Sequence, residues 1–391
     1  MNIFNFASKK ISKDVALVLG LFLSWRILLI IISFIAINFV PLGFTDRFLG
    51  GGPQNYSLIP HLFSWANFDG EHYLSIAIFG YKGLEQAFFP VYPSLIHLFI
   101  TPFVSTYFSS LMLGTLVGLM VSNIALLASL LLLFKLVRLD FSKKIAYLTL
   151  ISLLVFPTSF YLGAVYSEAL FLLFAVGSFY AARKQKWLLA AVLGGVASAT
   201  RIFGILLLPS LIIEAWQQKA GRKQYLWLSL IPLGLLGYMG YQWVMVGDPI
   251  AFYRLQKIVG EQHQSGITLY PQVMYRYIRM LLTVQLTNPI YSTLVLEFIV
   301  GIIFMAFPIY GYYKKIRPSY LFFALAGFLA PSIQGSLSSV PRYILVFFPS
   351  FIAIAIFLDS LPKWVKIGLL LSSFGWLSVE TALFLRGYWV S

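Results

Sequence analysis

Eight apolar runs, near residues 15–40, 111–134, 145–165, 225–246, 292–313, 319–336, 341–360 and 366–388, are each long enough to cross about 30 Å of hydrocarbon as a helix. Hydrophobic residues make up 60% of the 391-residue chain and charged residues 10%, with a mean hydropathy of +0.85, far beyond what a soluble domain needs to build its core. The sequence therefore predicts an all-α polytopic membrane protein. The first run is too long for the apolar region of a signal peptide and lacks a small-residue cleavage site before Pro41, so it reads as a retained transmembrane helix. With no cysteine, the chain has no disulfide and no thiolate, and its chemistry rests on oxygen and nitrogen groups.

Basic residues gather on the cytoplasmic side of short loops. If the amino terminus lies inside with Lys9, Lys10 and Lys13, five further clusters can share that side: Lys135/Arg138/Lys143/Lys144, Arg183/Lys184/Lys186, Lys219/Arg222/Lys223, Lys314/Lys315/Arg317 and Lys363/Lys366. Together they hold 18 of the 28 basic residues. The same asymmetry accounts for the net charge of +15 without nucleic acid as a partner.

This layout requires that residues 88–106 do not cross, so FFPVYPSLIHLFITPF, with three prolines and a histidine, is expected along the outer interface as a broken helix. Residues 187–216 must go out and return, breaking near Thr200-Arg201-Ile202-Phe203-Gly204. The count comes to eleven crossings in one transmembrane domain spanning 1–391, with outer segments 41–110 and 247–291 and the carboxyl terminus outside. Asp69, Glu71, His72, Lys82, Glu168, Arg201, Asp248, Arg254, His263 and Arg342 then collect on one face. The cytoplasmic loops hold little but topology-setting lysine and arginine. No internal repeat supports an inverted-repeat transporter.

The densest chemistry lies in SWANFDGEHYLSIAIFGY, Ser64 to Tyr81. Written as one helix, it puts Trp65, Asp69, His72 and Ile76 on a shared face, with a carboxylate and an imidazole between apolar anchors. Glu71 falls about 200° round from Asp69, so joint chelation of a metal would need Gly70 to break the turn. A single carboxylate acting as base is the reading preferred over an Asp-x-Glu metal site; Asp69 as a helix cap is the structural alternative.

Tyr166-Ser167-Glu168 stands between two apolar helices, where Ser167 or Glu168 serves a helix amino terminus or the group meets sugar hydroxyls. Arg201, between two apolar half-helices, calls for an anion or a water-filled cavity; a lipid phosphate is the natural partner, and snorkelling to headgroups the alternative. Gly247-Asp248-Pro249 opens an outer segment whose Arg254, Lys257, Arg276 and Arg279 alternate with tyrosines, as on an interfacial amphipathic helix. Arg342, in SLSSVPR, reads equally as headgroup anchor or substrate ligand, and Lys82 is a further candidate contact.

Five stretches in this order resemble one family: WANFDGEHYLSIAIFGY followed by AFFPVYPSL, FPTSFYLGAVYSEALFLL, Trp187 with GGVASATRIFG, GDPIAFYRLQ, and PRYILVFFPSF. The chain is similar to the GT-C integral-membrane glycosyltransferases, and among them to relatives of the GPI mannosyltransferase that adds the second mannose. The resemblance implies transfer of mannose, with inversion, from a polyprenyl-phosphate mannose donor to a hydroxyl of a glycolipid or glycan acceptor at the outer face of a plasma or endoplasmic-reticulum membrane. It places Asp69 as the general base, with Glu71, His72, Tyr166 and Glu168 supporting it and Arg201 at the donor phosphate. No cofactor is expected. A GT-C transferase for another lipid-linked sugar, or a lipid-sugar flippase with polar groups near the midplane, are the competing functional readings.

Overall fold

A computed structural model describes residues 13–43, 52–103, 105–259, 268–288 and 290–390. His263 and the basic residues Lys9 and Lys10 lie outside these. Among the described residues the chain is helical, with no strand.

Four helices are long and apolar enough to cross a membrane: Lys13–Phe39, Tyr107–Val137, Ile290–Tyr313 and Lys363–Leu385. A fifth span arises if Val340–Val346 and Pro349–Ser360, bent by 89° at their junction, are taken together. The eleven crossings expected, two of them as the short helices of 187–216, are not all present as long helices among the described residues, and prolines interrupt several of the apolar runs. The run 145–165 stops as a helix at Leu154, just ahead of Pro157, which has no N–H to donate and disfavours helical backbone in the residue before it. The run 225–246 is divided into Arg222–Leu228 and Ile231–Val246, with Pro232 in the first turn of the second helix. Pro349 similarly starts a new helix within the run 341–360.

Two local predictions agree with the structure. Among the described residues of 88–106 the helix is Val91–Ile100, unbroken rather than broken, about 15 Å long at 1.5 Å per residue and so too short to cross. The segment 187–216 breaks at Arg201, which is extended (φ −154°, ψ 148°) between the helix Trp187–Thr200 and a single-turn 3-10 helix, Ile202–Leu206, leading into Leu207–Gln217.

Members of four of the basic clusters make their ion pairs at one end of the bundle. Lys143 pairs with Asp14, Lys144 and Lys366 share Asp359, and Arg183 forks onto Asp140 with Nη1–Oδ2 2.5 Å and Nη2–Oδ1 2.8 Å. Glu214, fully buried, takes Arg317 through two contacts of 2.8 and 2.9 Å, so both of its oxygens are compensated. At the opposite end the last turn of Lys363–Leu385 receives the segment 52–67: Tyr56 donates to the Leu385 carbonyl at 2.6 Å and Asn67 to that of Phe384 at 2.8 Å. An aromatic cluster of Phe160, Tyr161, Tyr166 and Phe384 packs beneath them with centroids 4.4 to 6.0 Å apart. This end carries the candidate site.

Candidate active site

The helix carrying Asp69 does not extend back to Trp65. It runs Asp69–Phe79, and the residues before it turn sharply: Asn67 is extended and Phe68 has φ 59° and ψ −120°. A positive φ is strained for a phenylalanine, at a cost on the order of 1–3 kcal/mol, and persists only where the surroundings over-determine it. Here Asn67 donates to the Phe384 carbonyl and accepts from the Tyr166 hydroxyl at 2.8 Å, while the Phe68 ring packs on Phe384 and Trp389. The single helical face predicted for Trp65, Asp69, His72 and Ile76 is therefore corrected: Trp65 belongs to a separate turn, Ser64–Ala66. Gly70 stays within the helix, so Asp69 and Glu71 diverge. A side chain at Gly70 would come within 3.3 Å of the Val165 carbonyl, which keeps this turn close under Tyr166 and Ser167.

Asp69 is not the helix cap; that position is Phe68, and the carboxylate turns elsewhere. Its Oδ2 accepts from Arg342 Nη1 at 2.5 Å. Arg342 lies in the short helix Val340–Tyr343, entered through Ser339 in left-handed backbone (φ 62°). It is buried, and its guanidinium also faces the rings of Tyr161, Tyr166 and Tyr343 at 5.5, 5.6 and 5.0 Å. Packing on three tyrosines and a carboxylate speaks against the headgroup-anchor alternative for Arg342.

Behind this pair sits Glu168, the first residue of the helix Glu168–Arg183 and fully buried. Arg201 Nη1 is 2.6 Å and Arg342 Nε 3.5 Å from Glu168 Oε1. Neither contact has hydrogen-bond geometry, so both Glu168 oxygens and Arg342 Nε are held by charge without a directed bond. Arg201 Nη1 also donates to Ser167 Oγ at 3.1 Å, and Ser167 in turn meets the Tyr73 hydroxyl at 2.8 Å. Burial pushes the Tyr73 phenol up, so it remains a neutral partner.

The result is an alternating chain of charge, Asp69–Arg342–Glu168–Arg201. Its inner members are the more buried, with side chains 9% (Arg342) and 0% (Glu168) exposed, against 27% for Asp69 and 13% for Arg201, whose guanidinium lies 5.4 Å from the Tyr343 ring centre. Among the described residues nothing bonds to Asp69 Oδ1 or to Arg201 Nε and Nη2. The open ends of the chain are thus a carboxylate oxygen and a guanidinium edge.

The other predicted residues fall outside this chain. His72 stacks on Phe88 at 4.7 Å, and Glu71 is half-buried in the first turn, with its backbone N–H donating to the Phe68 carbonyl at 3.0 Å. Tyr166 donates to the Asn67 carbonyl at 2.8 Å, and its ring centre lies 5.6 Å from the Arg342 guanidinium. Lys82 is exposed with its ammonium over the Phe79 ring, and Arg254, also exposed, pairs with Asp248 at 3.3 Å; neither is bonded to the four charged residues. Sequence reading missed the Asp69–Arg342 pairing, Tyr73 and Tyr343. The only signal for Arg342 was an arginine beside a proline at the start of an apolar run.

A cavity of about 600 Å³ shares two helices with the cluster, although none of the four charged residues lines it. Ile76, on the Asp69 helix, and Ala199, two residues before Arg201, line it together with Tyr81, Tyr238, Tyr241 and Gly237.

The helical bundle is similar in fold to solved structures of membrane enzymes. The structure is similar to that of ArnT from Cupriavidus metallidurans bound to undecaprenyl phosphate, with a TM-score of 0.50 and 16% identity over 90% of this chain and 63% of that one. Oligosaccharyltransferase structures from Archaeoglobus fulgidus also align. One, in complex with Zn and sulfate, does so at TM-score 0.47 and 16% identity over 93% of this chain and 53% of that one. Another, the archaeal AglB with an inhibitory peptide and a dolichol-phosphate, does so at 0.44 and 12% over 95% and 56%. The chain therefore spans between about half and two thirds of the length of these structures. The family described as Mannosyltransferase (PIG-V) matches residues 54–221 of the chain, a stretch that contains Asp69, Glu168 and Arg201 but not Arg342. No curated protein matches the sequence.

Proposed function

We propose that the protein transfers mannose from a polyprenyl-phosphate mannose donor to a hydroxyl of a lipid-linked glycan or similar acceptor, with inversion. The observation that carries this reading is the pair of open ends: Asp69, held through Oδ2 by Arg342, and Arg201, held through Nη1 against Glu168. The acceptor oxygen attacks the anomeric carbon as the bond from that carbon to the phosphate oxygen breaks. Its proton passes to Asp69 Oδ1, and polyprenyl phosphate departs with the bonding pair. Arg201 stabilises the charge that develops on the phosphate. Because the leaving phosphate needs no proton, one carboxylate suffices, and general base catalysis of this kind is worth roughly 10²–10⁴-fold. Arg342 already neutralises one side of Asp69, and we assign no divalent metal to the step. The cavity beside Ala199 supplies an apolar channel for the first isoprene units of the donor.

The assay is purified protein in proteoliposomes with radiolabelled polyprenyl-phosphate mannose and membrane lipid extract. Label appearing in a new glycolipid supports the reading; label that moves across the bilayer while still on its carrier would make the protein a flippase. We assign the site to the outer face because the basic clusters gather at the other end of the bundle. A cysteine at position 82 should then react with an impermeant maleimide in intact cells and one at position 222 should not; the reverse pattern would invert the layout.

A further inference from the structure

Arg26 is the central residue of the 27-residue helix Lys13–Phe39, about 20 Å from either end at 1.5 Å per residue. Trp25 and Leu29 beside it are buried, whereas Leu23, Ile27 and Ile30 are exposed. Arg26 therefore stands on the seam where this helix leaves the protein core and faces the bilayer. Its Nη1 donates to the Gly163 carbonyl at 3.1 Å, and its guanidinium lies 4.6 Å from the centre of the Trp65 ring. The Gly163 carbonyl is already shared, since Asn123 Nδ2 donates to it at 3.2 Å.

The contrast with the other arginines is one of charge. Arg183, Arg201, Arg317 and Arg342 each pair with a carboxylate. Arg26 has no such partner among the described residues, and one of its five N–H donors is used. An unpaired cation within a long apolar helix is expensive unless it meets an anion or a water-filled cavity. Its location also ties it to the site: Trp65 is four residues before Asp69 and accepts at its carbonyl from Val165 N–H at 2.9 Å, and Gly163 is four residues before Ser167.

We propose that Arg26 is a second anion subsite, distinct from Arg201, which takes the phosphate of a lipid lodged at the seam of the first helix. The spare edge of a guanidinium fits two phosphate oxygens at once, and the uncompensated charge supplies the attraction. A bilayer phospholipid and a lipid-linked substrate offer the same phosphate chemistry.

The full-length protein, purified in neutral detergent, is examined by native mass spectrometry with phosphatidylglycerol and with a phosphate-free monogalactosyl diacylglycerol. Wild type should retain phosphatidylglycerol in preference to the galactolipid, R26Q should lose that preference by about tenfold or more, and R26K should keep part of it because the charge remains but the fork does not. Adding polyprenyl phosphate separates the sources. Displacement of phosphatidylglycerol from wild type assigns the subsite to a lipid-linked substrate, and persistence assigns it to a bilayer phospholipid; both support it. Equal preference in wild type and R26Q, with unchanged thermal unfolding, would overturn the proposal. Should R26Q fail to fold, equal preference in wild type and R26K would do the same. The readout is lipid retention, so its failure is distinguishable from failure of the proposed transferase activity.

Discussion

Arg342 Nη1 lies 2.5 Å from Asp69 Oδ2, across 273 positions of sequence. That contact joins the front of the fold to its last third and converts an exposed-looking aspartate into an oriented one, because a charge-assisted bond fixes one oxygen and leaves the other for substrate. It also explains why Glu168 is tolerable in full burial: two guanidiniums, from Arg201 and Arg342, face one of its oxygens.

Arg342→Ala removes the orienting bond and leaves Glu168 with a single cation. Single-turnover transfer should fall by roughly 10²-fold with donor affinity nearly retained, and thermal unfolding should move to lower temperature because a buried pair has been broken on one side only. Arg342→Lys should recover only part of the rate. Wild-type turnover in the alanine variant would remove Arg342 from the site.

Asp69→Asn preserves size but cannot take up the acceptor's proton. Transfer should drop by roughly 10²-fold or more while donor binding persists, and Glu71→Gln, which points away from Asp69, should be milder. Activity abolished by a chelator and restored by a divalent cation would point instead to a metal held at the Asp-Gly-Glu triplet.

Arg201→Ala should raise the apparent Kd for the lipid-phosphate donor more than it lowers the rate of the bound complex. The lysine variant should lie between, since it keeps the charge and loses the second N–H of the fork. An equilibrium binding measurement with polyprenyl phosphate reads this directly; an unchanged affinity in the alanine variant would leave Arg201 as a structural partner of Glu168.

Gly237 faces the cavity, and a Cβ placed there would meet no atom within 4 Å, so a large side chain can enter without disturbing the helix. Gly237→Trp should raise KM for a full-length polyprenyl donor by about tenfold, while a donor with about two isoprene units is spared. If both donors respond alike, the cavity does not hold the lipid chain.

What the sequence by itself determined is local: helix-forming apolar length, the basic end of the bundle, the break at Arg201 and the short Val91–Ile100 helix follow from hydropathy, charge and proline placement within a few residues of each position. Asp69 also stood out, because few carboxylates lie so close to long apolar segments. The prediction failed where distant chain segments decide the backbone. Periodicity ran the Asp69 helix back to Trp65, but Asn67 and Phe68 are pinned by Phe384 and Trp389 from the end of the chain. Lys82 and Arg254 have the right chemistry, yet Phe79 and Asp248 hold them apart from the cluster. Only the tertiary structure could choose Arg342 over them: a guanidinium carries no local mark of the carboxylate it will meet, and the low-dielectric interior that makes the meeting strong exists only once the helices have packed.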